Sequence, residues 1–220
     1  MESFMKNIVV LISGRGSNFK SIQEAALKEN WEKNLGAKIA LVISNNPDAQ
    51  GLVIAEKFGI EALCVNHRNY PDRESFEKKL IETIDKYHPE AIVLAGFMRI
   101  LSSFFVNHYH GKILNIHPAL LPAFKGLNTH KRAIDAGVRV HGASVHFVTP
   151  ELDSGAVIGQ AIVPVFPSDF PEKLAERVLV FEHLLFPACL KAVVAGKVRL
   201  VGEKAVMDDE TARLLTFSDL

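Results

Sequence analysis

The 220-residue chain carries 25 Lys and Arg against 25 Asp and Glu, a formal net charge of zero. A protein that tracks a phosphate backbone needs a basic excess or a basic stripe, and an anionic membrane surface asks for the same; no Lys/Arg cluster here is long enough to supply either. With 48% hydrophobic and 23% charged residues the composition is that of a globular protein, and no apolar run approaches the ~18 residues of a membrane-spanning helix.

At roughly 150 residues per domain the length allows one large domain or two small ones. No Ser/Gly/Pro-rich linker interrupts the middle, so a single domain over residues 1–200 is expected, followed by a hairpin or tail over 201–220. Met1-Glu2-Ser3-Phe4 lacks the basic and apolar regions of a signal peptide, which predicts a cytoplasmic protein. Cys64 and Cys189 are too few and too unpatterned for a disulfide framework and read as reduced packing residues.

In chain order, Asn7–Ile12 is a continuous β-branched run ending near Gly14, the pattern of a strand covered on both faces. A helix follows over about Asn18–Asn30. Further apolar runs stand at Lys38–Ser44, Ala62–Val65, Ala91–Leu94 and Ile113–His117, separated by helix-like stretches at Gly51–Phe58, Pro71–His88 and Ser102–His108. This βαβα alternation predicts an α/β fold, an open doubly wound, mostly parallel sheet whose ligands bind beyond the carboxyl ends of the strands. From about Val140 the grammar changes to a C-terminal α+β extension. Ala143, Val145 and Phe147 alternate with Ser144 and His146 as in a half-buried strand, and Ala156–Val165 supplies another. A long helix over Pro171–Ala195 is marked by Leu174, Val178, Phe181 and Leu185, with a kink or break expected at Pro187.

Ser13-Gly14-Arg15-Gly16-Ser17-Asn18 joins the first strand to the first helix, where backbone N–H groups and the helix dipole favour phosphate; Ser17 and Asn18 add polar contacts and a cap. Phe19 stands where GxGxxG needs glycine, and Ser17-Asn18 where a P-loop needs Lys-Ser/Thr, so a plain glycine turn is the competing reading. Ser44-Asn45-Asn46 stands where a dinucleotide site wants an acidic residue, which counts against a dehydrogenase. In Leu114-Asn115-Ile116-His117-Pro118, Asn115 and His117 are two apart and share one strand face. They make either an oxyanion-stabilising pair or a polar strand end. Asp153, in Glu151-Leu152-Asp153-Ser154-Gly155, is either a turn residue or a carboxylate that reaches His117 and favours its protonated form. The histidines match no metal-ligand spacing, and GxSxG is absent, so neither a metal nor a covalent intermediate is expected.

Taken together, the glycine loop, Ala95-Gly96-Phe97-Met98-Arg99-Ile100-Leu101, Asn115-Ile116-His117-Pro118-Ala119-Leu120-Leu121-Pro122, and His141–Phe147 with Leu152-Asp153-Ser154-Gly155 resemble the glycinamide ribonucleotide formyltransferases, a folate-dependent family, from about Asn7 to Leu200. The resemblance implies a formyltransferase-like fold and transfer of a formyl group from 10-formyltetrahydrofolate, as co-substrate, to the amine of glycinamide ribonucleotide in purine biosynthesis. It implies Asn115, His117 and Asp153 as the catalytic trio, Gly16, Ser17 and Asn18 at the substrate phosphate, and Glu182 at its ribose. Arg73, Met98, Arg99, Ile100, Leu101 and Asn115, with backbone over 149–153, border the folate. The partners it implies are these two small molecules, without metal, nucleic acid or membrane, in a monomer or homodimer. Ala119 departs from the family's usual Ser and Pro150 from a usual acidic residue; Arg15 faces either phosphate or solvent. The competing readings are a formyltetrahydrofolate deformylase, expected to carry an extra N-terminal domain, a methionyl-tRNA formyltransferase, expected to carry a C-terminal one, and a non-catalytic nucleotide-binding module.

Overall fold

A computed structural model describes residues 5–220, so the leader expectation, which rests on Met1–Phe4, falls outside the described residues. The chain forms two compact units, Met1–Leu114 and Asn115–Leu220.

The first unit runs β1 (Lys6–Ile12), α1 (Ser17–Lys28), α2 (Trp31–Leu35), β2 (Ala37–Ser44), α3 (Gln50–Lys57), β3 (Glu61–Cys64), a 3-10 turn (His67–Asn69), α4 (Arg73–Asp85), β4 (Pro89–Leu94) and α5 (Ser103–His108). Its strands lie in the order β4-β1-β2-β3, with β1 parallel to both β2 and β4 and β2 parallel to β3. Val9, Val10, Leu11 and Ile12 are all buried, because a parallel strand with neighbours on both edges and helices on both faces leaves no side chain facing water. α1 buries Phe19, Ile22, Gln23 and Ala26 at the three- and four-residue spacing of one helical stripe. β3 is short and mostly uncovered, and its Cys64 is exposed. That corrects the expectation of a packing cysteine at this position, since four edge residues build no closed layer.

β5 (Ile113–His117) carries the chain across the boundary. The second unit continues with α6 (Thr129–Asp135), β6 (Val140–Phe147), β7 (Val157–Pro164), α7 (Pro171–Val194), β8 (Arg199–Val201), β9 (Lys204–Val206), α8 (Asp209–Leu214) and β10 (Thr216–Ser218). β6 and β7 pair antiparallel, and β10 adds parallel to β7. Over residues 199–220, β8 and β9 form a hairpin, while β10 extends the sheet and Leu215 is buried.

Two local expectations are corrected. β6 is buried on both faces: Ser144, His146 and His141 are as enclosed as Ala143 and Val145. Ser144 and His146 survive there because they are bonded. The Ser144 hydroxyl donates to Ala119 O at 2.7 Å and accepts from Leu121 N at 3.0 Å and Gln160 Nε2 at 2.9 Å. α7 runs through Pro187 without a break. An interior proline costs a helix roughly 3 kcal/mol. Here Pro187 is buried between Leu185, Phe186, Cys189 and Leu190, on a helix packed over β6 and β7, and that burial offsets the lost backbone bond. Leu185→Ala would remove a fully buried contact in this layer, a loss of about 2–5 kcal/mol.

Candidate active site

The glycine loop of the first unit places Gly16 at the N-cap of α1 with φ 74° and no side-chain cap bond. The expected capping by Ser17 or Asn18 is therefore corrected: Ser17 is the first helical residue and Asn18 the second. A left-handed cap without a Cβ turns the chain so sharply that backbone, not side chain, faces the helix axis. Gly51 N donates to Gly14 O at 3.0 Å and fixes the loop against α3. A Cβ on Gly16 would come within 2.7 Å of Gly51 Cα, so the close approach needs glycine. Arg15 is exposed and Asn18 buried. Arg73 is exposed at the start of α4. Met98, Arg99 and Ile100 are exposed in the loop after β4, whereas Leu101 turns inward.

The second unit gathers the trio. β5 ends at Asn115 and His117, and the turn between β6 and β7 returns Asp153 to them. His117 Nδ1 lies 3.4 Å from Asp153 Oδ2, both side chains being 7% exposed. Asp153 adopts φ 48°, a left-handed conformation that Asp tolerates better than most residues, and Gly126 N donates to its Oδ2 at 2.9 Å. His117 Nε2 meets Phe124 O at 3.0 Å. Phe124, Gly126 and Asn128 all have positive φ. Arg132 holds this bent loop by donating to Lys125 O at 2.5 Å, with its guanidinium 5.7 Å from the Phe124 ring centroid.

His146 completes the cluster, and sequence reasoning gave it no role. Its Nδ1 lies 2.9 Å from Phe147 O, which assigns the proton to that nitrogen and leaves Nε2 to accept from Asn115 Nδ2 at 3.2 Å. Burial pushes the His146 pKa down, only partly opposed by the Phe147 carbonyl and the Asp153 charge, so the ring is neutral. Asn115 is thereby oriented with one amide hydrogen engaged. His146 Nε2 is also 3.8 Å from Asp153 Oδ1. Two further histidines, half-buried His130 and buried His141, stack edge to face with centroids 5.2 Å apart. Desolvation, with His130 as a second cause, lowers His141 to about 4; desolvation and the nearby His117 lower His130. The signal that could have marked these residues was the density of histidine around β6, four buried or half-buried rings beside one carboxylate. Glu182 is buried on α7 in this unit. Among the described residues no group of three or more His, Cys, Asp and Glu is placed to hold a metal ion.

A buried, ionisable His–Asp pair beside an oriented amide can donate hydrogen bonds to a developing oxyanion and move a proton. A formyl transferase family model matches residues 6–190. The chain belongs to that family. It is 45% identical over 204 residues to the phosphoribosylglycinamide formyltransferase of Escherichia coli K12, covering 93% of this chain and 94% of that one. It is 47% identical over 196 residues to the trifunctional purine biosynthetic protein adenosine-3 of Gallus gallus, covering 89% of this chain but only 19% of that longer protein. Among solved structures, the phosphoribosylglycinamide formyltransferase of Coxiella burnetii superposes with a TM-score of 0.85 at 42% identity, over 96% of this chain and 99% of that one. The fold is the mostly parallel α/β fold of those enzymes, as the sequence pattern predicted.

Proposed function

We propose that this chain transfers the formyl group of 10-formyltetrahydrofolate to the amine of glycinamide ribonucleotide, a step of purine biosynthesis. The observation that carries the chemistry is the enclosed His117–Asp153 pair at 3.4 Å with Asn115 on the same strand end. The neutral amine attacks the formyl carbon, forming the new N–C bond as the carbonyl electrons move to oxygen. Asn115 N–H donates to that oxyanion, and protonated His117 donates to it by exchanging the Phe124 carbonyl on its Nε2–H for the oxyanion, where hydrogen bonds are strongest in the transition state. Asp153 holds the His117 charge and ring orientation. Collapse breaks the bond to folate N10, and the proton lost by the amine reaches N10 through His117 or a water, leaving tetrahydrofolate and the formylated amine.

In the same reading Gly16, Ser17 and Asn18 bind the substrate phosphate and Glu182 its ribose. Arg73 and Met98, Arg99, Ile100 and Leu101 border the folate, along with Asn115. No metal takes part. Residues 1–200 act as one formyltransferase domain with 201–220 as a C-terminal element, and the protein works in the cytoplasm on small molecules, not on nucleic acid or membrane, as a monomer or homodimer. The test supplies 10-formyltetrahydrofolate with and without glycinamide ribonucleotide. Formylated ribonucleotide and tetrahydrofolate are expected in equal amounts, only when the acceptor is present. Free formate released at the same rate without acceptor would instead establish the deformylase reading.

A further inference from the structure

The four parallel strands of the first unit end in four loops, and one hydrogen-bonded chain passes through all four in the strand order β4-β1-β2-β3. After β4, Met98 N donates to Ser13 Oγ at 2.7 Å. After β1, Ser13 Oγ donates to Asn45 Oδ1 at 2.6 Å. After β2, Asn45 meets His67 Nδ1 twice, its carbonyl at 3.0 Å and its side-chain amide at 3.1 Å. That nitrogen donates to the carbonyl when it carries a proton and accepts from the amide when it does not. His67 opens the turn after β3.

Ser13 is the junction of this chain. Its one hydroxyl receives the amide that starts the Met98–Leu101 loop and spends its proton on Asn45, on the first residue of the glycine loop. The loop after β4 has little else to hold its middle. Met98 is 72% exposed and Ile100 64%, and the next anchor is at its far end, where Ser102 N donates to the buried Glu77 carboxylate at 2.7 Å. A segment with an exposed middle, tethered at its start by the Met98–Ser13 bond beside buried Phe97 and at its far end by buried Leu101 and the Glu77 clamp, gains order when a ligand fixes the partner of that first bond.

We propose that Ser13 is a positioning residue that couples the glycine loop to the Met98–Leu101 loop, so that a phosphate-bearing ligand at one raises affinity for folate at the other. Asn45 and His67 steady the hydroxyl by fixing where its proton points. The inference rests on the proposed function for the identity of the two ligands. Hydrogen bonds linked in series polarise one another, so loss of the middle member weakens both ends together.

The test compares Ser13→Ala, Ser13→Thr and the wild-type protein in steady-state formyl transfer, in titration of tetrahydrofolate with and without glycinamide ribonucleotide, and in amide hydrogen exchange. In Ser13→Ala, KM is expected to rise about 5–10-fold for both substrates, kcat to change by less than about 2-fold, and the mutual enhancement of binding to fall to nearly none. The Met98 amide should exchange faster, and Ser13→Thr, which keeps the oxygen, should restore all three. Asn45→Ala, which leaves Ser13 in place but removes its acceptor, should show the same pattern at about half the logarithmic size, and it carries the test if Ser13→Ala does not fold. Unchanged KM values, a loss confined to kcat, or a KM change without altered Met98 exchange would overturn the proposal. Absence of formyl transfer by the wild-type protein would overturn the functional reading instead, so the two failures are distinct.

Discussion

The glycine loop of the first unit and the Asn115–His117–Asp153 cluster of the second are built from opposite materials. The loop is backbone: its shape depends on Gly16 at φ 74°, and it needs no buried charge. The cluster is side chain: three groups from a strand end and a distant turn, enclosed so that each hydrogen bond acts in a medium far less screening than water. A backbone site is damaged by adding a Cβ, a side-chain site by removing a single charge. In the proposed reading the loop binds and the cluster carries turnover, so the two should fail separately, and three substitutions or conditions press on that separation.

The largest effect is expected from Asp153→Asn. Without the carboxylate, protonated His117 loses its partner, and kcat should fall by about 10²–10³-fold, while calorimetric affinity for glycinamide ribonucleotide stays within about 3-fold because the glycine loop is untouched. An equal loss in both quantities would contradict the separate roles proposed for the loop and the cluster.

Next comes the response of the cluster to acid. His141 is held to about 4 in the folded protein against 6.5 when free, and burial lowers His130 and His146 as well. Above both values the ring is neutral in either state and contributes nothing to pH dependence. Between about 6.5 and 4 the unfolded chain binds the proton and the native one resists it, so stability falls on acidification, by on the order of 3 kcal/mol for His141 alone. Denaturant unfolding across pH 7 to 4.5 should show a steeper decline for the wild-type protein than for His141→Asn. Parallel slopes would mean that the ring is not kept neutral by the fold. The glycine loop holds no such group and should not share this dependence.

Gly16→Ala is expected to act the other way round. A left-handed φ and a Cβ at 2.7 Å from Gly51 Cα should cost about 1–2 kcal/mol of stability. The KM for glycinamide ribonucleotide should rise about 10-fold, with kcat nearly retained, as steady-state kinetics would show. A fall in kcat with KM unchanged would place the loop in the chemistry.

The parts of this architecture that were legible in the sequence are those written in local pattern. β1, β2 and β5 follow from largely apolar runs rich in β-branched residues, and Pro171 and the Leu174–Leu185 stripe mark α7 to within a residue at each end. The pairing of Asn115 with His117 follows from two-residue strand periodicity. What was not legible depends on partners far away in the chain. His146 looked like the wet face of β6 because nothing local shows Asn115, 31 residues earlier, bonding its ring. Of the kink or break expected at Pro187, the break does not occur, because tertiary burial outweighs the local rule. α2 and α6 are only 5 and 7 residues long, too short to display a helical period. The left-handed turn at Asp153 and the Phe124 carbonyl on His117 came into view only with the folded backbone, since no short sequence signal encodes where a loop places a carbonyl.

In the proposed mechanism formyl transfer runs through the ring of His117. Single-turnover transfer of an isotopically labelled formyl group from 10-formyltetrahydrofolate to glycinamide ribonucleotide tests it most directly, in the wild-type protein and in His117→Gln, with donor and acceptor affinities measured alongside. Label should pass to the acceptor one for one in the wild-type protein and about 10³-fold more slowly in the variant, with both affinities kept. Transfer at the wild-type rate in His117→Gln would show that the ring takes no part in the chemistry.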